Sequence, residues 1–262
     1  MYLYSFILIF LIFISIILQI KIHHTSGLTE HFQADSKPLS TYVINLDRNK
    51  ERYELFMENY NKLMPETPIE RISAVDGNAL SYKELEDVVS LEVLDGIKHI
   101  DNTGERIADK QLTRGMIGCY LSHINIYAKN VNQSNLVLIF EDDAKFNINL
   151  SDFIKGFKNI PDDWDIILLG TVQIFEYGNE NQSDLFRKVT KFWGTQGYLI
   201  NNSGMQKMLK YYKPINNQID FRMGELSANN LLNVYAYKDN AIYQSAKYSD
   251  VQMVVKKSEK IT

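Results

Sequence analysis

The chain has 262 residues, of which 45% are hydrophobic and 23% charged, and its formal net charge is −4. This charge argues against a nucleic-acid-binding surface, and the single cysteine, Cys119, excludes both an intrachain disulfide and a zinc knuckle. Beyond the apolar N-terminus about 220 residues remain, which is enough for one domain with a substantial core.

The first 20 residues carry no charged side chain and consist mostly of Phe, Ile and Leu. About 20 helical residues cross the ~30 Å apolar slab of a bilayer. A cleaved signal peptide would instead show a basic start, a shorter apolar core and a small-residue cleavage site. We therefore predict a single-pass membrane anchor at 1–20, a polar stem at 21–40 and a folded domain at 41–262. Lys21 alone does not decide the orientation in the membrane.

Strand-like and helix-like segments alternate along the folded domain. Apolar residues recur at helical spacing over 53–64, 117–131 and 205–212, with Asn202 or Ser203 as the cap of the last helix. Four apolar runs indicate strands: Thr41–Leu46, Leu136–Phe140, Ile166–Leu169 and Gly197–Ile200. Leu136–Phe140 shows no alternation, which is typical of a strand buried on both faces. This order predicts an α/β domain with a mostly parallel central sheet and helices on both of its faces.

An acidic triplet follows the second of these strands. In α/β sheets the ligand binds beyond the carboxyl ends of the strands, where Glu141, Asp142 and Asp143 stand. Three adjacent carboxylates repel one another, and a hard divalent cation such as Mn²⁺ or Mg²⁺ relieves that cost. In an extended backbone Glu141 and Asp143 would point to one side and Asp142 to the other. A solvated turn is the simpler explanation of an isolated triplet, but its place after a buried strand favours a metal site.

Eight stretches match, in order, the motifs of one known family. They are VINLDRNKER (Val43–Arg52), ISAVDGNAL (Ile72–Leu80), LTRGMIGCYLSHINIY (Leu112–Tyr127), LVLIFEDDAKF (Leu136–Phe146), DWDIILLG (Asp163–Gly170), FWGTQGYLI (Phe192–Ile200), PINNQID (Pro214–Asp220) and SD (Ser249–Asp250). Together they cover nearly all of the chain past the apolar N-terminus. The chain thus resembles glycosyltransferase family 25, which includes bacterial lipooligosaccharide galactosyltransferases and animal collagen β-galactosyltransferases.

The resemblance implies a GT-A-like nucleotide-sugar-binding fold, a UDP-sugar donor, inversion at the sugar carbon and a divalent cation, Mn²⁺ before Mg²⁺. It implies that Asp143, together with Asp142, binds the metal and that Glu141 faces the ribose. Four further residues match donor-pocket positions: Asn45, Arg48, Asp76 and His123. For His123 a structural role stays open beside the binding role.

The resemblance also implies a catalytic base, and it shows two departures. Asp220 closes the PINNQID stretch and is the candidate base for the acceptor hydroxyl, with an N-cap of a helix starting near Phe221 as the alternative. Met116 stands where the family usually has Glu, which predicts an altered donor or acceptor preference. Tyr127 stands where the family often has Trp.

The sequence therefore predicts transfer of a hexose, galactose before glucose, to a glycan, as in lipopolysaccharide biosynthesis, or to a hydroxylysine-type protein hydroxyl. Two alternatives stay open. One is a catalytically inactive, membrane-tethered protein that binds a nucleotide sugar or a glycan. The other is a metal-dependent nucleotidyltransferase, against which the sequence lacks the G-x-x-x-x-G-K-[ST] and G-x-G-x-x-G phosphate loops. A nucleic-acid partner is not expected.

Overall fold

A computed structural model of the protein describes residues 38–65, 67–108, 111–147, 160–179, 183 and 185–245. The predicted anchor and nearly all of the predicted stem lie outside these residues. Within them, every helix is too short or too polar to cross a bilayer. All the elements below belong to one unit, Pro38–Thr262.

The described chain forms strands, α-helices and one short 3-10 helix, Gly77–Ala79. The helices are α1 (Lys50–Leu63), α2 (Tyr82–Glu86), α3 (Leu91–Thr103), α4 (Arg114–Asn130), α5 (Asn202–Tyr211) and α6 (Ile219–Ala228). The strands are β1 (Leu39–Asn45), β2 (Glu70–Ser73), β3 (Leu136–Glu141), β4 (Ala144–Phe146), β5 (Ile166–Leu168), β6 (Gln173–Tyr177), β7 (Phe186–Trp193), β8 (Gly197–Ile200), β9 (Val234–Tyr237) and β10 (Ile242–Gln244).

Eight strands form one sheet in the order β2-β1-β3-β8-β5-β9-β7-β6, and β4 pairs with β10 in a separate ribbon. The pairs β1–β2, β1–β3 and β5–β9 are parallel, whereas β8 and β7 run antiparallel to their neighbours. Six strands therefore point one way and two the other. The predicted α/β class is confirmed, but the sheet is mixed, because β8 lies reversed between β3 and β5.

The strand β3 is buried on both faces, as its uninterrupted apolar run predicts. Val137 and Ile139 belong to one hydrophobic cluster, to which α3, α4, α5 and α6 contribute, and Leu138 and Phe140 to a second cluster on the side of α1. Phe56 and Tyr60 of α1 make aromatic contacts with Phe140 at centroid distances of 5.7 and 5.9 Å. Helices thus cover both faces of the sheet.

The predicted helices are confirmed, with one shift of a cap. The helix α5 begins at Asn202, and its cap is Asn201, whose side chain accepts a hydrogen bond from the backbone N–H of Gly204 at 2.9 Å. Neither Asn202 nor Ser203 serves as the cap. The reason is local: Asn201 follows β8 directly and still has an extended backbone, which frees its side chain to cap the first turn.

The two outer strands of the eight-stranded sheet are short or irregular. The outer strand β2 has four residues, of which Glu70 and Arg71 are charged. At the other edge β6 pairs with β7 through a register that shifts on either side of Glu176. These features leave the regular part of the sheet in its centre, around β3 and β8.

Candidate functional site

The candidate site lies where three parallel strands end side by side. In the register of these strands Asn45 pairs with Ser73, and Ile44 pairs with Glu141. The carboxyl ends of β1, β2 and β3 therefore meet at one edge of the sheet. This is the edge at which α/β sheets bind ligands, and the acidic triplet stands in its centre.

The triplet spans the end of β3 and the turn that follows it. The strand β3 ends at Glu141, and Asp142 and Asp143 make the turn into β4. Arg52 pairs with Asp142 and lies 3.4 Å from an oxygen of Asp143, whereas Glu141 contacts α4. The extended backbone therefore stops one residue earlier than predicted, and the charge of Glu141 still acts on Asp143 strongly enough to raise its pKa.

Asp142 is held by protein partners on both of its carboxylate oxygens. Asn45 Nδ2 donates to Oδ2 at 2.6 Å, and the guanidinium of Arg52 pairs with Oδ1. Asn45 is itself fixed by Arg71, whose Nε donates to its side-chain oxygen at 2.9 Å. Burial raises the pKa of Asp142, while Arg52 and Asn45 oppose this rise. Asp142 thus anchors the turn to β1 and α1.

Asp143 is buried, and only one of its two carboxylate oxygens has a hydrogen-bond partner among the described residues. Gln244 Nε2 donates to Oδ2 at 2.8 Å, while Oδ1 is buried and has no hydrogen-bond partner among the described residues. Burial, followed by the charge of Glu141, raises the pKa of Asp143 to about 7. An unsatisfied carboxylate oxygen of this kind is a suitable ligand for a hard cation.

Glu141 faces α4 and the start of β8. Thr195 Oγ1 donates to Glu141 Oε1 at 2.6 Å, and His123 Nε2 lies 3.6 Å from the same oxygen. Burial alone would raise the pKa of Glu141, but His123, Thr195 and Arg52 together hold it below its usual value. His123 is fully buried, and its Nδ1 shares a hydrogen bond of 2.8 Å with the hydroxyl of Tyr198.

Asp220 lies in the first turn of α6 and is tied to the loop that precedes β8. Its Oδ2 accepts a hydrogen bond from Gly194 N–H at 2.9 Å, and its Oδ1 accepts one from Phe221 N–H at 2.8 Å. Gly194 has φ +102°, a conformation that favours glycine. Burial, despite these hydrogen bonds, raises the pKa of Asp220, and Glu141 adds to the rise. The capping alternative is wrong, because α6 begins at Ile219 and its N-cap is Gln218.

Arg48 and Asp76 pair with each other at the exposed rim of the site. Asp76 also caps the 3-10 helix by accepting a hydrogen bond from Asn78 N–H at 3.1 Å. This loop packs closely on α4, since a Cβ on Gly77 would lie 1.7 Å from the carbonyl oxygen of Arg114. Gly77 and Arg114 belong to two of the stretches that match the family. Close packing between these stretches therefore accounts for part of that match.

Met116 has a structural role that the sequence does not reveal. It is the third residue of α4, and its sulfur accepts a hydrogen bond from Thr113 N–H at 3.4 Å, while Thr113 Oγ1 caps Met116 N–H at 3.2 Å. This reciprocal pair is a capping box in which sulfur replaces a carboxylate. Met116 is buried in the core beneath α4. The predicted effect on substrate preference therefore has no support from its position.

Among the described residues, the acidic turn and a second group offer ligands for a cation, and the two differ in chemistry. The acidic turn offers carboxylate oxygens, among them Oδ1 of Asp143, which is buried and has no hydrogen-bond partner among the described residues. Cys119, His123 and Glu141 form the second group, with one ligand atom of each within 4.8 Å of the others. Sequence reasoning placed Glu141 and His123 near the donor but did not assign Cys119.

Thr195 and Gln244 are site residues that the sequence prediction missed. Thr195 lies two residues before the reversed strand β8, and Gln244 ends β10, so neither follows a strand of the predicted parallel sheet. Thr195 lies in the FWGTQG stretch, which matches the family. If β8 were parallel to β3, however, Thr195 would lie at the edge of the sheet opposite the acidic turn.

Comparisons with known proteins agree on one family. A family model described as glycosyltransferase family 25 (LPS biosynthesis protein) matches residues 39–223. A glycosyltransferase 25 family member of Aedes aegypti is 32% identical over 180 residues, and procollagen galactosyltransferase 2 of Homo sapiens is 29% identical over 177 residues. Each match covers 64% of this chain but 27% of the relative, so the chain matches about a quarter of the length of these relatives.

One solved structure is similar only remotely. The crystal structure of the galactosyltransferase LgtC with donor and acceptor sugar analogues aligns with 82% of this chain and 91% of that chain. Its sequence identity is 12% and its TM-score 0.41. Similarity at this level is too low to assign a fold or a function.

Proposed function

Because the chain belongs to glycosyltransferase family 25, we propose that it transfers a hexose from a UDP-sugar to a hydroxyl group of an acceptor. The observation that carries the proposal is the acidic turn at the joined carboxyl ends of β1, β2 and β3, the place where α/β sheets bind nucleotides. The mixed α/β sheet is consistent with a GT-A-like arrangement. Galactose is proposed as the sugar, since one matched relative is a procollagen galactosyltransferase.

The acceptor in this proposal is a hydroxyl group of a glycan or of a hydroxylysine-type protein side chain. The first is supported by the description of the matching family model and the second by the name of the human relative. Residues 1–20 are proposed to hold the enzyme at a membrane, where either type of acceptor can be presented. This second point rests on the sequence alone.

The residues of the acidic turn fit a divalent cation, which this family is expected to use. Among the described residues, one buried oxygen of Asp143 has no hydrogen-bond partner, and the nearby cation Arg52 is shared with Asp142. Asp143 would hold the cation, Mn²⁺ before Mg²⁺, while Asp142 remains bound to Arg52 and Asn45 and supports the turn. When bound, the cation supplies Lewis-acid neutralisation of the diphosphate leaving group.

The protein contributes groups of its own on the donor side. Arg52 lies at the acidic turn with 29% of its side chain exposed, so its guanidinium can face an incoming phosphate. Glu141, fixed by Thr195, is proposed to accept a hydrogen bond from a ribose hydroxyl. Arg48 and Asp76, paired at the rim, are proposed to border the nucleotide. Together these groups orient the donor before transfer.

The acceptor side of the proposed site is formed by the loop before β8 and by α6. Trp193 directly precedes Gly194, is 44% exposed and packs edge-on against Phe175 at 4.8 Å. Aromatic faces of this kind bind sugar rings. Asp220 lies beside them and is proposed to take the proton of the acceptor hydroxyl as it attacks the sugar carbon, which inverts that centre.

Replacing Asp220 with Asn should lower kcat at least a hundredfold and leave UDP binding within about threefold of the parent. A general base contributes about 10²–10⁴-fold, and it acts only in the transition state. Steady-state kinetics and calorimetric titration with UDP separate the two effects. The acidic limb of the kcat–pH profile should disappear, because the base must be ionised and burial raises the pKa of this carboxyl.

Glu225 provides the matched control on the same helix. Its carboxylate is half exposed and pairs with Arg222 at 2.9 Å. The Glu225→Gln variant should keep its activity and its pH profile. If Asp220→Asn retains the acidic limb, or loses UDP binding together with turnover, then Asp220 is a positioning residue of the loop and not the base.

Transfer by the full-length chain tests the proposed function directly. UDP-galactose and UDP-glucose are each incubated with the detergent-solubilised protein, with and without Mn²⁺, and UDP release is measured. We expect release from UDP-galactose that depends on Mn²⁺ and increases with a hydroxylysine or glycan acceptor. Absence of release from either donor would refute the proposal, and pyrophosphate release from a nucleoside triphosphate would favour the nucleotidyltransferase alternative.

A further inference from the structure

Cys119, His123 and Glu141 bring sulfur, nitrogen and oxygen together at one point beside the acidic turn. Their ligand atoms all lie within 4.8 Å of one another. Cys119 and His123 are four residues apart on α4 and so share one face of that helix. Glu141 reaches them from the end of β3. The proximity is therefore fixed by two regular elements and does not depend on a loop.

His123 has a nitrogen that no described residue satisfies with a hydrogen bond. Its Nε2 is fully buried and has no hydrogen-bond partner among the described residues, although Glu141 Oε1 lies 3.6 Å away. Its Nδ1 is engaged by the hydroxyl of Tyr198, which in turn bonds to the hydroxyl of Tyr127. Histidine ligands of metals are oriented in this way, with one nitrogen bound to the protein and the other left for the cation. A cation between Nε2 and Oε1 would give Nε2 a partner and would neutralise part of the Glu141 charge.

The donor set selects the type of cation. A thiol sulfur and an imidazole nitrogen suit Zn²⁺ and similar borderline cations, whereas Mn²⁺ and Mg²⁺ prefer oxygen alone. The surroundings are strongly negative: beyond the effect of burial, the charges of Glu141, Asp220, Asp143 and Asp142 all raise the pKa of the Cys119 thiol. The same field favours a bound cation at this sulfur.

We propose that Cys119, His123 and Glu141 bind one Zn²⁺ ion and that this ion inhibits the enzyme. On binding, the S–H bond of Cys119 breaks, a sulfur–zinc bond forms and the proton leaves to solvent. Nε2 of His123 and one oxygen of Glu141 donate lone pairs, and water completes the coordination. No atom changes its oxidation state.

Inhibition follows from the double use of Glu141. The same carboxylate is proposed to accept a hydrogen bond from the ribose of the donor, and an oxygen engaged by Zn²⁺ is withdrawn from that contact. This part of the inference rests on the proposed function. The binding of the cation does not, because it depends only on three side chains and their geometry.

Titration of the full-length protein with Co²⁺, a spectroscopic substitute for Zn²⁺, tests the site without reference to activity. We expect a thiolate-to-cobalt charge-transfer absorption that added Zn²⁺ abolishes and that is absent from the Cys119→Ser variant. Because serine has nearly the same shape, that variant should unfold at the same temperature as the parent. No charge-transfer band in the parent, or an equal band in Cys119→Ser, would overturn the proposal.

Kinetics then test the inhibition. With saturating Mn²⁺, the Zn²⁺ concentration for half-inhibition should be at least tenfold higher for Cys119→Ser than for the parent, and the activity without Zn²⁺ should be equal. Equal sensitivity of the two proteins to Zn²⁺ would place the inhibitory Zn²⁺ away from Cys119 and refute the regulatory part. If no sugar transfer is detected, the proposed function is refuted. The Co²⁺ titration still shows whether Cys119, His123 and Glu141 bind a cation.

Discussion

The Asp143→Asn protein should be more stable than the parent when divalent cations are removed, and far less active when they are present. Asp143 is 8% exposed, and its charge adds to those of Glu141 and Asp142. Asn keeps the shape and an oxygen for Gln244 but removes the charge. At pH 8 in EDTA we expect a gain of about 1–3 kcal/mol in the free energy of unfolding, measured with urea.

The pH dependence of this gain has a definite sign. In the folded protein the pKa of Asp143 is raised to about 7, above its value in the unfolded chain. Ionisation therefore begins to cost stability as the pH rises above about 4, the ordinary aspartate value, and the full cost is reached above 7. The advantage of the Asn variant should thus be largest at pH 8 and should vanish on acidification below about 4.

Asp165 offers a control, since it is also buried but its charge is paired with a lysine at hydrogen-bonding distance. Lys207 Nζ lies 2.5 Å from its Oδ2, and Asn233 N–H donates to the same oxygen at 2.8 Å. The Asp165→Asn variant should therefore be less stable than the parent at the same pH. If Asp143→Asn were also destabilised in EDTA, the charge of Asp143 would be satisfied within the protein, and its assignment as a cation ligand would lose its basis.

The functional loss in Asp143→Asn follows from the same charge. Calorimetry should show the affinity for UDP with Mn²⁺ reduced at least tenfold, or about 1.4 kcal/mol. Turnover should fall more, by at least a hundredfold, because a Lewis acid contributes several kcal/mol at the transition state. Unchanged affinity and turnover would mean that the cation is held elsewhere.

The second large effect is expected at the buried ion pair of Arg114 and Asp101. Arg114 donates from Nε and from its terminal nitrogen to Asp101, at 2.9 and 2.7 Å, and both side chains are about 5% exposed. Arg114 also donates to the carbonyl oxygen of Leu80 at 2.7 Å. Asp101→Ala leaves the guanidinium buried without its anion, so the free energy of unfolding should fall by about 3–5 kcal/mol.

A double variant distinguishes the cost of leaving Arg114 without its anion from the net contribution of the ion pair to stability. Replacing Asp101 with Leu and Arg114 with Met removes both charges, and the stability should return to within about 1–2 kcal/mol of the parent. Truncation of the exposed Glu58, paired with Lys62, should have no measurable effect. If Asp101→Ala unfolds at the same urea concentration as the parent, water must reach Arg114 in solution.

The sequence predicted the central features of the fold because they follow from local patterns. The uninterrupted run of β3 indicated a strand buried on both faces, and the spacing of apolar residues located α1, α4 and α5. The predicted carboxyl ends of the strands also indicated that Asn45 and the acidic turn belong to the candidate site. These predictions depend on the spacing of apolar residues, which can be read within a single strand or helix without knowledge of its partners.

The direction of β8 could not be predicted, because strand direction is decided by partners distant in sequence. Gly197–Ile200 has the apolar pattern of a buried strand in either orientation. Reversal of β8 between β3 and β5 brings its first residues, and with them Thr195, to the edge where the other strands end. The acceptor half of the candidate site thus depends on a tertiary pairing that leaves no local signal.

Side-chain roles within the matched stretches were also beyond sequence reasoning. Arg114 and Ser122 fix backbone: Arg114 holds the loop at Leu80, and Ser122 Oγ accepts a hydrogen bond from Val75 N–H at 2.9 Å. His123, the next residue, faces Glu141. A match to a family identifies positions under constraint, but only the contacts distinguish packing from binding.

The irregular outer strands have a consequence for the behaviour of the protein at high concentration. A long, flat strand at the border of a sheet exposes unpaired N–H and C=O groups and invites fibril-like pairing between chains. Here β2 is short and charged, and the register of β6 is broken beside Glu176. Both borders of the sheet therefore resist the addition of a strand from a second molecule. The apolar central strands β3 and β8 therefore stay inside the sheet, where they cannot pair with a strand of another molecule.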